Sequence, residues 1–141
     1  MLSTAKSLAV AIGLACAWSL PPAFAADAPR IDCAQATSTV EINFCADKDY
    51  QVADKALNDA YAKALADVRK RGGEKPYDAK SYEDAFRNAQ RAWLAYRDAE
   101  CKDLVAQEWS GGTGTTAAVL GCLTRKTAER TKELLDRGDN P

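Results

Sequence analysis

Five cysteines and no histidine stand in this 141-residue chain, and that imbalance constrains it more than any other feature. Zinc sites are assembled from Cys pairs in C-x-x-C spacing or from Cys with His, and the chain has neither, so no metal site is expected. Disulfides are the remaining structural use, and they persist in oxidising compartments. The N-terminus supplies the route there. Lys6 precedes the uncharged, mostly apolar run "SLAVAIGLACAWSL" (7–20), and "PPAFA" (21–25) then offers Ala23 and Ala25 as an A-x-A cleavage site. That order is a secretory signal peptide over residues 1–25. The apolar run is short for a transmembrane helix. Cys16 lies inside it, after a Gly13-Leu14-Ala15 that matches a lipobox poorly, so no lipid anchor is expected. Residues 26–141 then form one domain with an even set of cysteines, Cys33, Cys45, Cys101 and Cys122. They read as two disulfides in a periplasmic or secreted protein with no membrane anchor.

Composition narrows the function classes. Without histidine there is no Ser-His-Asp or Cys-His nucleophile and no histidine base. Only carboxylate, Tyr or Lys catalysis remains chemically open. Lys and Arg total 19 against 20 Asp and Glu, and loss of Lys6 makes the exported chain slightly more acidic. That excludes the basic field nucleic-acid binding needs. No cofactor motif is present, and the sequence leaves the oligomeric state open.

Periodicity describes a helical chain. "STVEINFCA" (38–46) reads as one short helix, with Ser38 and Glu41 in capping-box spacing. In residues 49–70, Tyr50, Ala53, Leu57, Ala60, Tyr61, Ala64, Leu65 and Val68 recur at three- and four-residue steps, predicting a second helix. "RGGEKPYDAK" (71–80) breaks it with two glycines and Pro76. A third helix begins near Ser81 and reaches about Trp109, where "SGGTGTT" (110–116) ends it as a flexible loop. The fourth, 117–138, places Val119, Leu120, Leu123, Leu134 and Leu135 on one side and stops at Gly138. No alternating strand pattern occurs. Short connections favour antiparallel neighbours, so the expected fold is an all-α, disulfide-stapled antiparallel bundle of one short and three longer helices.

The stretch "QRAWLAYRDAEC" (90–101) holds the chain's most unusual polar residues. At about 100° per residue, Phe86, Trp93, Leu94, Arg97, Cys101 and Leu104 all fall within about 60° of Gln90. Gln90 and Arg97 therefore sit in the middle of an apolar face. A charge there must be paired, because an unpaired buried charge is very unfavourable. Asp98, at the border of the face, and Glu41, on the first helix, are the candidate partners. We read Glu41, Gln90 and Arg97 as a structural network that locks helices together, and Trp93 as core. Glu41 has a second role available, closing its own capping box. A Glu41–Asp98 carboxylate pair doing glycosidase-type work is the less favoured reading, and no catalytic residue is assigned. Hairpin geometry places both Cys45 and Cys122 level with Cys101. The preferred pairing is the local one, Cys33–Cys45 and Cys101–Cys122, with Cys45–Cys101 and Cys33–Cys122 as the rival.

Three segments together resemble one family. "DCAQATSTVEINFCADKDYQVADKALNDAY" (32–61) fits C-x-x-A-x-[ST]-x-x-E-x-x-x-C followed by an aspartate, a leucine and a tyrosine in the next helix. "AQRAWLAYRDAEC" (89–101) fits Q-R-x-W-L-x-x-R-[DN] with a cysteine, and "CLTRKTAERTKEL" (122–134) is similar to the closing segment. The chain is thereby identified as a member of the LprI-like lysozyme-inhibitor domains. The resemblance implies an exported, disulfide-stapled, all-α domain that binds a protein partner, a lysozyme, in the bacterial envelope. One departure stands out: residues 103–121 make the gap from Cys101 to Cys122 longer than the family's pattern.

An inhibitor of that kind has to fill a cleft and engage its carboxylates, for which an exposed loop with cations or hydroxyls suffices. Two candidate partner-binding loops qualify. One carries Arg69, Lys70, Arg71 and Lys75; the other carries Trp109, Ser110 and Thr113. A different protein partner, as for an immunity module, is the alternative reading.

Overall fold

Ser38 starts the first helix. Its hydroxyl accepts the Glu41 N–H at 3.3 Å while the Glu41 carboxylate accepts the Ser38 N–H at 3.0 Å. This closes the capping box and launches α1, Thr39–Arg69. The computed structural model describes residues 31–139, so the expected signal peptide and Cys16 lie outside the described residues. The short helix expected over 38–46 is not separate. Ala46, Asp47 and Lys48 continue without a break into the second, giving one 31-residue helix. No Gly or Pro interrupts them, and the polar pair is simply a wet face, with Gln51 donating to Asp47 at 2.6 Å.

At the far end the chain turns through residues 70–78. Gly73 has φ +133°, and a Cβ there would lie 2.6 Å from the Tyr77 carbonyl oxygen, so this turn requires glycine. Asp78 then caps α2, Ala79–Asp98, by accepting the Ser81 N–H at 2.9 Å. A π-helical segment, Ala99–Leu104, and a short α3, Val105–Glu108, continue the same rod. α4, Thr115–Asp139, completes the bundle and passes through Gly138 rather than stopping there. Among the described residues the fold is therefore three long rods, all helical, with no strand.

Cross-helix pairs give the directions. Arg69 meets Glu83, Arg97 meets Asp54, and Arg130 meets Gln90. α2 is thus antiparallel to both α1 and α4, and α1 runs parallel to α4. α1 and α4 lie closest, and α2 stands further off. Small buried residues, Ala60 and Ala64 on α1 and Thr127 on α4, permit that approach.

The core forms in two blocks. Leu57, Ala60, Ala64, Leu65, Val68, Phe86 and Leu134 make the larger, with Tyr61, Tyr82 and Trp93 against it. Tyr61 and Phe86 stack at 5.4 Å between ring centroids. Cys101, Cys122 and Leu123 make the smaller, with Tyr50, Val105, Val119 and Leu120 around them. Leu135, expected on the buried side, is instead 40 % exposed, since it is one residue off the stripe that holds Leu134. The disulfides join Cys33 to Cys45, with Cα atoms 5.6 Å apart, and Cys101 to Cys122 at 5.5 Å. The first straps residues 31–38 onto α1, and the second ties the π segment to α4.

The π segment changes which residues face inward. A π turn holds one residue more than an α turn, so positions beyond it lag by about 100°. Leu104, expected on the core face, is 51 % exposed, and Val105 takes the inward position against the smaller block.

Candidate functional site

Arg97 occupies the polar layer between the two core blocks. Its side chain is 6 % exposed. Nε donates to Asp98 Oδ1 at 3.0 Å, with Nη2 2.9 Å from the same oxygen as an ion pair, and Nη1 donates to Thr127 on α4 at 3.2 Å. The same nitrogen lies 3.7 Å from Asp54 on α1. One side chain therefore touches all three long helices. Burial alone would raise the Asp98 carboxyl, but hydrogen bonds from Lys102 and Arg97 outweigh it and hold the group below its ordinary range.

Glu41 is not part of this network. It stands thirteen residues along α1 from Asp54, about 20 Å at the helical rise, so it cannot reach Arg97. Its carboxylate is occupied by the Ser38 backbone N–H, the Ser38 hydroxyl and the Thr37 N–H, which lower its pKa. The role expected for Glu41 falls to residues on α4. Gln90 accepts from Arg130 at 3.1 Å, and Arg130 also donates to Glu133 at 2.7 Å. Thr127 is fully buried and Arg130 is 8 % exposed. Sequence reasoning missed both. Their signal was available: Leu123, Thr127, Arg130 and Leu134 follow the three- and four-residue steps of a buried stripe, with polar members at its centre. Trp93 is flanked by two cations, with Arg97 5.4 Å and Arg130 5.7 Å from its ring. It is half-buried and more polar in its surroundings than an ordinary core tryptophan.

The two candidate loops lie at opposite ends of the bundle and cannot form one surface. In the first, Arg69 is committed to a bidentate pair with Glu83, both distances 2.9 Å. Hydrogen bonds from Arg69, then Arg87, bring the Glu83 carboxyl down to about 2. Lys70 pairs with Asp67 at 3.1 Å. Arg71 lies 4.9 Å from the Tyr82 ring centroid, and Lys75 is exposed. Arg71 borders a cleft of about 440 Å³ with Pro76, Tyr77 and Tyr82. In the second, the chain is a set of tight turns, Ser110 N–H to Gln107, Gly112 N–H to Trp109 and Thr115 N–H to Gly112, all at 3.0 Å. The Trp109 ring lies against Gly114, leaving no room for a Cβ there, although the indole is half exposed. The expected flexible loop is thus a folded corner presenting Trp109, Ser110 and Thr113.

Among the described residues, no group of three or more acidic or Cys side chains is placed to hold a metal ion. No described helix is long and apolar enough to cross a membrane. Two disulfides in so short a segment fit an oxidising compartment.

Comparison with known proteins places this geometry. The uncharacterized protein R02472 of Rhizobium meliloti (strain 1021) is 37 % identical over 121 residues, covering 82 % of this chain and 86 % of that protein. The uncharacterized protein YecT of Escherichia coli (strain K12) is 30 % identical over 99 residues, covering 66 % of this chain and 60 % of its own length. The crystal structure of a DUF1311 family protein from Pseudomonas putida KT2440 superposes with TM-score 0.60 at 25 % identity, over 72 % of this chain and 94 % of that one. The sequence profile described as "Lysozyme inhibitor LprI" matches residues 32–134, which takes in both disulfides, the capping box and the Arg97 layer, so the chain belongs to the LprI lysozyme-inhibitor family.

Proposed function

We propose that this chain is an exported, non-enzymatic binding protein that inhibits a lysozyme-type muramidase in the bacterial envelope. The family match across residues 32–134 carries the reading. The signal-like N-terminus and the two disulfides support the periplasm as its location. The side chains support binding over chemistry. A glycosidase acid needs a raised pKa so that it holds a proton at neutral pH. Glu41 and Asp98, the two carboxylates considered for that role, are both held below their ordinary values. Residues 103–121 depart from the family's pattern, and this favours as second reading an envelope partner other than lysozyme, met through the Trp109 corner.

The test is a titration of disulfide-intact protein into lysozyme acting on a cell-wall suspension. Clearing should slow in proportion to inhibitor and stop falling near stoichiometry. No slowing against lysozymes of several structural classes, with a non-lysozyme protein recovered from envelope extract, supports the second reading instead.

A further inference from the structure

We propose that the groove between α2 and α4 binds an extended acidic peptide segment of a partner protein, with its carboxylates meeting Arg71 and Arg137. This does not require that the partner be a lysozyme.

The groove follows from the packing. α1 and α4 are close, while α2 stands off and turns Ala85 and Ala89 toward the gap between Tyr82, Phe86 and Trp93. Two alanines among large rings leave a trough. It has about 290 Å³ beside Arg130 and Arg137, and it meets the 440 Å³ cleft at Tyr82 and Ala85. A narrow neck lined by Arg71, Tyr82, Phe86 and Arg137 lies beside them. From Tyr82 to Trp93 the trough runs about 16 Å at the helical rise, the length of roughly five residues of extended chain.

Its charge selects the occupant. Three arginines border it, and its two carboxylates are already engaged. Asp67 pairs with Lys70 at 3.1 Å, and Asp78 caps α2 by accepting from Ser81. Arg130 is held by Gln90 and Glu133. Arg71 and Arg137 have no ion pair among the described residues, and both border the neck. A guanidinium laid on an aromatic ring, as Arg71 is on Tyr82, keeps its fork free for a bidentate carboxylate. A neutral glycan fits less well. Sugars need open ring faces, and here guanidiniums lie over Tyr82 and Trp93.

The experiment uses fluorescence anisotropy with the full exported chain and two labelled ten-residue probes, one alternating Glu and Leu, the other Lys and Leu. The Glu probe should bind at least tenfold tighter than the Lys probe. That binding should weaken at least tenfold in the Arg71→Glu/Arg137→Glu double variant, and again in Ala89→Trp, which fills the trough at an exposed position. Equal affinity for the two probes overturns the proposal. So does Glu-probe binding that survives both variants, or its displacement by a neutral N-acetylglucosamine oligomer. Protein that binds the Glu probe but leaves lysozyme unaffected upholds the groove and removes the lysozyme reading. Protein that inhibits lysozyme but binds neither probe does the reverse.

Discussion

Arg97 shows how far a single residue can be read from sequence. Its place on the apolar face follows from spacing alone, and so does its need for a partner. The identity of the partner does not. Asp98 is adjacent in sequence and is a visible candidate, but Thr127 is 30 residues away on another helix. Spacing alone does not separate Glu41 from Asp54 as a partner, because it does not show where α1 crosses α2. Among the charged groups, Glu83 gives the clearest pH signature. Its folded pKa, about 2, is below the ordinary 4.5 because Arg69 and Arg87 hold the carboxylate. A depressed carboxylate contributes stability that is present above the unfolded pKa and lost as pH falls through the folded one. Glu83→Gln should therefore lower the urea midpoint at pH 7. The gap from wild type should shrink from about pH 4.5 down to about 2. A gap unchanged across that window contradicts the assignment.

At the scale of elements, the helices were legible because their periods are long and Gly and Pro mark their ends. The turn at Gly73 falls in the stretch where two glycines and Pro76 predict a break, while the next helix starts at Ala79, capped by Asp78, two residues before the expected start near Ser81. Two features were not legible. Nothing in "ADKDY" says whether a polar stretch breaks a helix or merely wets one face, so the sequence reads as two helices where the structure has one, Thr39–Arg69. The π segment leaves no residue signature, yet it rotates everything after it. The consequence is measurable at neighbouring positions. Leu104→Asp should change stability by no more than about 0.5 kcal/mol, as exposed sites do. Val105→Asp places a carboxylate against Cys101 and Leu123 and should cost about 2 kcal/mol or more. Chemical denaturation of both variants decides it, and the reverse ranking would mean that the register is purely α-helical.

For the whole molecule, three rods with a polar layer between two core blocks depend on few fastenings. The exposed Cys33 and the fully buried Cys101 predict an order of reduction. Under graded reductant with alkylation and mass spectrometry, Cys33–Cys45 should open first. Removing the other bridge by Cys101→Ser/Cys122→Ser should destabilise the fold by about 3 kcal/mol on the chain-entropy model. The larger claim is that Arg97 and the polar layer around it hold the fold together and that Arg97 itself takes no part in partner binding. Arg97→Ala tests it most directly, with unfolding and lysozyme inhibition measured on the same preparation. Loss of the layer should lower stability by about 2–4 kcal/mol, because Thr127 loses its donor, and Trp93 and Asp98 each lose one of their two cations. Inhibition per folded molecule should be unchanged. A variant that keeps full stability and loses inhibition would show that Arg97 belongs to the binding site.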